Sequence, residues 1–291
     1  MVVVGRINSI KDFHRFMKKL DVRGMVFIVK PGWDNTHSFT SAETLDWLFS
    51  TLRGRIKLIE GYSMSRTKPV TDKKPEEFTP SQVFITPSKA KAHWQLIKEQ
   101  DESFLTSNGI DRVLEKHDAE YINVTEEVWS LRNLDSGEVK DFVDSKYGVL
   151  VNQEMYNLVP TRVYELKGSS FISLNVSHQI HGQVSLSTRS LLSLIPNPAR
   201  HRDWQDKGES HLSQRIVDIN KIYRSLFSPC FWINKIKDSN IFVGSKNSVE
   251  ADAVAAKLMG IDPENIGYLS HAATVFGGYD KNVLMEIPKS L

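Results

Sequence analysis

Residues 241–269, IFVGSKNSVEADAVAAKLMGIDPENIGYL, decide the fold class. The apolar run 241–243 reads as a short strand and 244–246 as a tight turn. Asn247 suits a helix N-cap, where a side-chain oxygen takes an otherwise unbonded backbone N–H, and Glu250 stands at capping-box spacing from it. The helix continues through Ala251, Ala253, Ala255, Ala256, Leu258 and Met259, and Gly260 stops it. Asp262, Pro263 and Glu264 then restart a helix as N-cap, N1 and N2. Strand, turn, helix, stop and helix are α/β grammar.

Asp252 is the odd residue in this helix, because its inward-facing neighbours are apolar or very small. As a first-turn carboxylate it would face solvent and complement the positive helix end. As a partly buried carboxylate it would bind a cation or orient a partner.

Outward from this stretch, the N-terminal half repeats the α/β pattern. Ser9 through Asp12 open a helix by capping-box logic, with Ile10, Phe13, Met17 and Leu20 on one face. Residues 25–29, MVFIV, form a continuous apolar run, as expected of a strand buried on both faces. A second amphipathic helix over 41–52 ends before Gly54, and 56–59 form a second strand. Strand–helix–strand at these lengths predicts a parallel βαβ unit. The expected architecture is a mostly parallel sheet flanked by helices, in one domain that could be two-lobed. Residues 67–87, rich in Thr, Pro and Lys, read as a mobile insertion. Farther on, 120–124, 160–166 and 170–175 read as strands, 133–147 as a polar stretch with room for a hairpin, and 216–223 as a helix.

Composition limits the function classes. The chain has 291 residues, 40% hydrophobic and 25% charged, which is ordinary for a soluble globular protein. A net charge of +2 gives no argument for nucleic acid or an anionic membrane surface. The lone Cys230 cannot form an intrachain disulfide, nor by itself hold an iron–sulfur cluster, so no such cluster is expected. No apolar run approaches membrane-spanning length, and the early VVV is too short for a signal-peptide core, so the expected location is cytoplasmic.

In parallel α/β sheets, loops at the strand carboxyl ends line the ligand crevice. KPGWDNTHSFT and EGYSMSR sit there, which makes Lys30, Asp34, His37, Glu60 and Arg66 ligand-binding candidates; the alternative is a solvated polar loop. The stretch after residue 176, SHQIHGQVSLSTRS, reads as a polar loop and adds His178 and Arg189. His178, His181 and His211 are weak metal-ligand candidates, since no HExxH or HxxEH motif occurs. Walker A, GxGxxG and GxSxG motifs are also missing, and Gly244-Ser245-Lys246 offers only a single-glycine phosphate cradle.

The closing stretch resembles that of the domain-of-unknown-function 362 family of archaea and bacteria, with Gly244, Asp252, Ala253, Gly260, Asp262 and Pro263 matching. Lys30-Pro31 resembles the family's KPN loop, with Gly32 in place of Asn, and IVDIN at 216–220 is similar to its DLN. His178 occupies the family's His position without the preceding basic residue, and Arg189-Ser190 stands where Lys-Asn would be. NKIKDSN replaces the family's acidic glycine-rich turn, and ferredoxin-like cysteines are missing. The resemblance implies a fold and a cleft but no reaction, and its departures imply a divergent member. The expected function is binding of a small anionic ligand or cofactor at the sheet's carboxyl edge, with or without catalysis. Lys30, His178 and Arg189 would hold the anion, and Asp252 would orient a base or bind a cation. The alternative is a non-catalytic ligand- or partner-binding scaffold that has lost an ancestral activity.

Overall fold

The computed structural model describes residues 1–33, 38–63, 66, 94–180, 183–196, 200 and 208–286. Asp34, His37, His181 and segment 67–87 lie outside the described residues. The elements run β1 (Val3–Arg6), α1 (Ile10–Lys19), β2 (Val26–Pro31), α2 (Ala42–Thr51), β3 (Arg55–Glu60), α3 (Trp94–Ser107), α4 (Ile110–Lys116), β4 (Glu120–Asn123), α5 (Val124–Trp129) and α6 (Ser136–Tyr147). They continue as α7 (Thr161–Tyr164), β5 (Ser170–Ile180), β6 (Gln183–Ser185), α8 (Ser187–Ser190), α9 (Gly208–Leu226), β7 (Cys230–Ile236), β8 (Ile241–Ser245), α10 (Ser248–Leu258), α11 (Gly267–Phe276) and α12 (Lys281–Glu286).

The sheet order is β1-β8-β7-β5-β2-β3-β4, with β6 paired to β5. β2 pairs in parallel with β3 and β5, β3 with β4, and β5 with β7. The chain builds outward from β2 through β3 to β4, then returns to lay β5 on the other side of β2. Strand order therefore reverses between β2 and β5, which is where open α/β sheets place their crevice. β8 turns back antiparallel on β7, and β1 closes that edge antiparallel to β8.

Both sheet faces are buried. Phe27 and Val29 join Phe13, Phe16, Leu45 and Leu48 of α1 and α2 in one core, while Ile28 joins Val139, Val143, Ile219 and Tyr223 of α6 and α9 in another. Alternate residues of β2 thus feed opposite cores, which is why the run reads as unbroken apolar sequence. Ser9 caps α1, accepting from Asp12 N at 3.3 Å, while Asp12 Oδ2 accepts from Asn8 N at 3.1 Å. Ile10 is not in the inward stripe, being 37% exposed; Phe16 takes its place, one turn from Phe13 and Leu20.

Other expectations fail for local reasons. Residues 136–147 form a helix and contain no hairpin: Asp135 caps it, and Val139 and Val143, four apart, are buried. The reading of 160–166 as a strand gives way to the short helix α7, with Pro160 at its N-cap and Val163 in the core. The stretch SHQI is strand rather than loop, since β5 runs on to Ile180 and folds back as β6.

In the closing stretch, Asn247 caps α10 and Gly260 takes φ +76°, in the left-handed region. Gly244 belongs to β8, where a Cβ would meet Leu20 Cδ1 at 2.6 Å and Phe16 Cζ at 2.8 Å. Its smallness therefore serves packing against α1. Because β8 is antiparallel, α10 starts at the amino edge of the parallel strands and runs back along the sheet face.

Candidate functional site

Lys30, next to last in β2, shares the face of Ile28, and Glu60 ends the neighbouring strand β3. Lys30 Nζ donates to Glu60 Oε2 at 2.9 Å and to Pro31 O at 2.5 Å. Glu60 Oε1 accepts from Gly61 N at 2.9 Å and from Ser193 Oγ. Ser193 Oγ also bonds Ser190 O at 3.0 Å, and Ser190 Oγ bonds Ser187 O at 2.8 Å. Ser187 in turn meets Asp252, Asn234 and, through its carbonyl, Ser173. A continuous polar seam therefore runs under residues 187–194, from the Lys30–Glu60 pair to Asp252. Lys30, Glu60, Ser187, Ser190, Ser193, Asn234 and Asp252 are each at most 2% exposed, so the seam is interior structure and not a solvent-facing surface.

Asp252 is fully buried, which removes the solvent-facing reading. Its Oδ1 accepts from Asn234 Nδ2 at 2.8 Å, Ser187 N at 3.1 Å and Ser187 Oγ, and its Oδ2 from Thr188 N at 3.0 Å. The two backbone donors are the first N–H groups of α8, so Asp252 caps that helix from a distant element. It approaches from the sheet face, one turn into α10, and not from a strand's carboxyl end. Burial pushes its carboxyl above the ordinary range, against the opposing pull of hydrogen bonds from Ser187, Thr188 and Asn234.

His178 is in β5 and 3% exposed. Its Nδ1 lies 2.8 Å from Val176 O, so in the neutral ring the proton sits on Nδ1 and Nε2 is a lone-pair acceptor. Among the described residues that Nε2 has no hydrogen-bond partner, and neither does the buried Asn175 Oδ1. Gly32 approaches Asn175 so closely that a Cβ would stand 2.4 Å from Asn175 Oδ1. Arg189 is half-buried over the hairpin, with Nη1 3.5 Å from Val184 O, which Tyr268 Oη also reaches at 3.5 Å. His211 falls in the first turn of α9. Among the described residues, no group of three or more His, Cys, Asp or Glu side chains comes together to hold a metal.

A second buried ion pair lies toward the β3–β4 end of the same edge. Arg66 Nη1 donates to Asp101 Oδ1 and Nη2 to Gly61 O, both at 2.5 Å, while Tyr121 Oη donates to Asp101 Oδ2 at 3.0 Å. Burial pushes the Asp101 carboxyl up even with Arg66 beside it.

Lys30, Glu60 and Asp252 thus belong to one network, whereas Arg189 stands on the hairpin side. Sequence reading missed Ser187, Ser190, Ser193 and Asn234, which build the rest of the seam, and Asn175 beside it, whose Nδ2 donates to Ser185 O at 3.3 Å. Asn175 and Asn234 are polar residues in the buried strand segments SLNV and FWIN, at facing positions in the β5–β7 register. Fold and site define an α/β protein with a sealed polar seam at the strand-order reversal between β2 and β5. No family model, curated protein or solved structure matches the chain. Among the described residues no helix is long and apolar enough to cross a membrane.

Proposed function

We propose that the protein binds a small anionic ligand bearing an N–H or O–H donor at the carboxyl edge of β2 and β5. The observation that carries this reading is the coincidence of the strand-order reversal with buried, protein-unpartnered acceptors, Asn175 Oδ1 and His178 Nε2. These acceptors would take the ligand's donors, and Arg189 would supply positive charge. Lys30 is occupied by Glu60 and Asp252 by its donors, so these residues hold the floor of the site instead of touching ligand. The resemblance to the domain-of-unknown-function 362 family stands as part of the proposal. It is supported by Lys30, Pro31 and Asp252 all falling on or beside the seam.

The same burial supports a second reading, a non-catalytic scaffold on which no charged group of the seam remains available for chemistry. Thermal-shift titrations with small carboxylates, inorganic phosphate and nucleoside monophosphates separate the two. Ligand binding predicts that at least one raises Tm in the wild type, with the shift reduced in both His178→Ala and Arg189→Ala. Shifts that are missing throughout, or unchanged in both variants, leave the scaffold.

A further inference from the structure

At the opposite, amino edge of the sheet, α1, the following turn, the start of β2 and the end of α2 border an open cavity of about 470 Å3. His14 and Lys18 from α1, Arg23 from the turn and Arg53 from beyond α2 line it. All of these side chains are exposed. Lys18 belongs to the last turn of α1, where the negative helix end favours a cation. That accounts for Lys18, but not for basic residues arriving from the other segments. The lining contains no Asp or Glu. Asp21, on the adjoining turn, is engaged by Arg23 at 2.6 Å and Lys246 at 3.5 Å. The side chains of His14, Lys18 and Arg53 enter no ion pair among the described residues.

The floor between these charges is apolar. Val22 and Leu52 are half-buried there, over Met17 and Phe27, which are 1% and 2% exposed. The volume is in the range of small-molecule sites, roughly 300–1,000 Å3. Two cations outside any ion pair among the described residues, Lys18 and Arg53, beside a small apolar floor fit a molecule with a compact dianionic head and an apolar body.

We propose that this amino-edge cavity binds an organic phosphate monoester, its dianion between Lys18 and Arg53 and its apolar body against Val22 and Leu52. This site is independent of the one proposed at the carboxyl edge.

The test is calorimetric titration at low salt with phenyl phosphate, inorganic phosphate and phenol as separate probes. The expected result is binding of phenyl phosphate at least about tenfold tighter than either fragment, or about 1.4 kcal/mol. Lys18→Glu/Arg53→Glu should weaken it at least about tenfold, with the fold retained and Tm lowered by only a few degrees, because both side chains are exposed and only the helix-end interaction of Lys18 is reversed. A charge-matched control outside the lining, Lys11→Glu/Arg112→Glu, both exposed, should leave it unchanged. Inorganic phosphate binding as tightly as phenyl phosphate would reduce the cavity to a patch for simple ions and overturn the proposal. So would undiminished binding in the double variant, or no heat with phenyl phosphate at millimolar concentration.

Discussion

Lys30 Nζ lies 2.9 Å from Glu60 Oε2, and neither side chain is exposed. The pair fastens the carboxyl ends of β2 and β3 and anchors residues 187–194 through Ser193. Removing one partner strands the other charge in the interior, whereas removing both strands no charge and takes partners only from neutral groups, Gly61 N, Ser193 Oγ and Pro31 O. Lys30→Met alone should therefore lower stability by about 3–5 kcal/mol, and Lys30→Met/Glu60→Leu should recover most of it. Urea denaturation of the two variants checks this; equal losses would show that the pair is not an interior one.

Asp252→Asn keeps the shape but puts an amide where the backbone N–H groups of Ser187 and Thr188 need acceptors. A loss of about 2–3 kcal/mol is expected, nearly the same at low and high salt. A surface helix-end charge would instead give a few tenths to about 1 kcal/mol, screened by salt. The pH dependence has a definite sign. The folded carboxyl is raised above its ordinary value of about 3.8, so the folded state holds its proton longer. Its contribution is most favourable below that value and declines as pH rises through the folded pKa. Asp252→Asn should remove this falling component from the stability–pH curve, as read from denaturant melts.

Glu127 behaves in the opposite way. Burial pushes its carboxyl up, but hydrogen bonds from Arg132 and Arg162 outweigh this and hold it below its ordinary value of about 4.5. The stability it brings is complete above that value and is lost as pH falls through the lower folded pKa. Wild type and Glu127→Gln should differ most near neutrality and converge in acid, below the folded pKa. A gap that widens in acid would contradict this assignment.

Gly32→Ala places a Cβ 2.4 Å from Asn175 Oδ1 and 3.2 Å from Asn175 Cα. The overpacking should cost about 1–3 kcal/mol. Adding Asn175→Ala removes the nearer contact but not the Cα, so a double-mutant cycle should show partial recovery. A fully additive cycle would mean that β2 and β5 do not approach so closely here.

The strands of the βαβ unit and several helix ends were legible because they rest on local chemistry: Ser9 and Asn247 as caps, Gly260 as a stop, and an apolar run long enough for a doubly covered strand; β1 and β7 were not read as strands. Lys30 and Glu60 were legible as strand-end residues, because the βαβ unit places them at one edge. Their mutual pairing was not, since it depends on the tilt of two strand ends and on Ser193 reaching over from a segment far along the chain. The role of 187–194 was hidden for a related reason. A serine-rich run reads as solvated loop unless the carboxylate that caps it is known, and Asp252 lies more than sixty residues later. The direction of β8 was equally hidden, because a short strand before a helix looks the same whether parallel or antiparallel.

The charged groups at the strand-order reversal are sealed structure, and lysine footprinting reads this residue by residue. Brief treatment of the native protein with an amine-acylating reagent, read residue by residue by mass spectrometry, compares Lys30 with the exposed Lys11 and Lys19. The account predicts that Lys30 reacts at least about a hundredfold more slowly, because it must wait for the structure to open, and at an ordinary rate in denaturant. Native acylation of Lys30 within about threefold of the Lys11 and Lys19 rates would contradict it, since closed structure leaves no such route to a sealed amine.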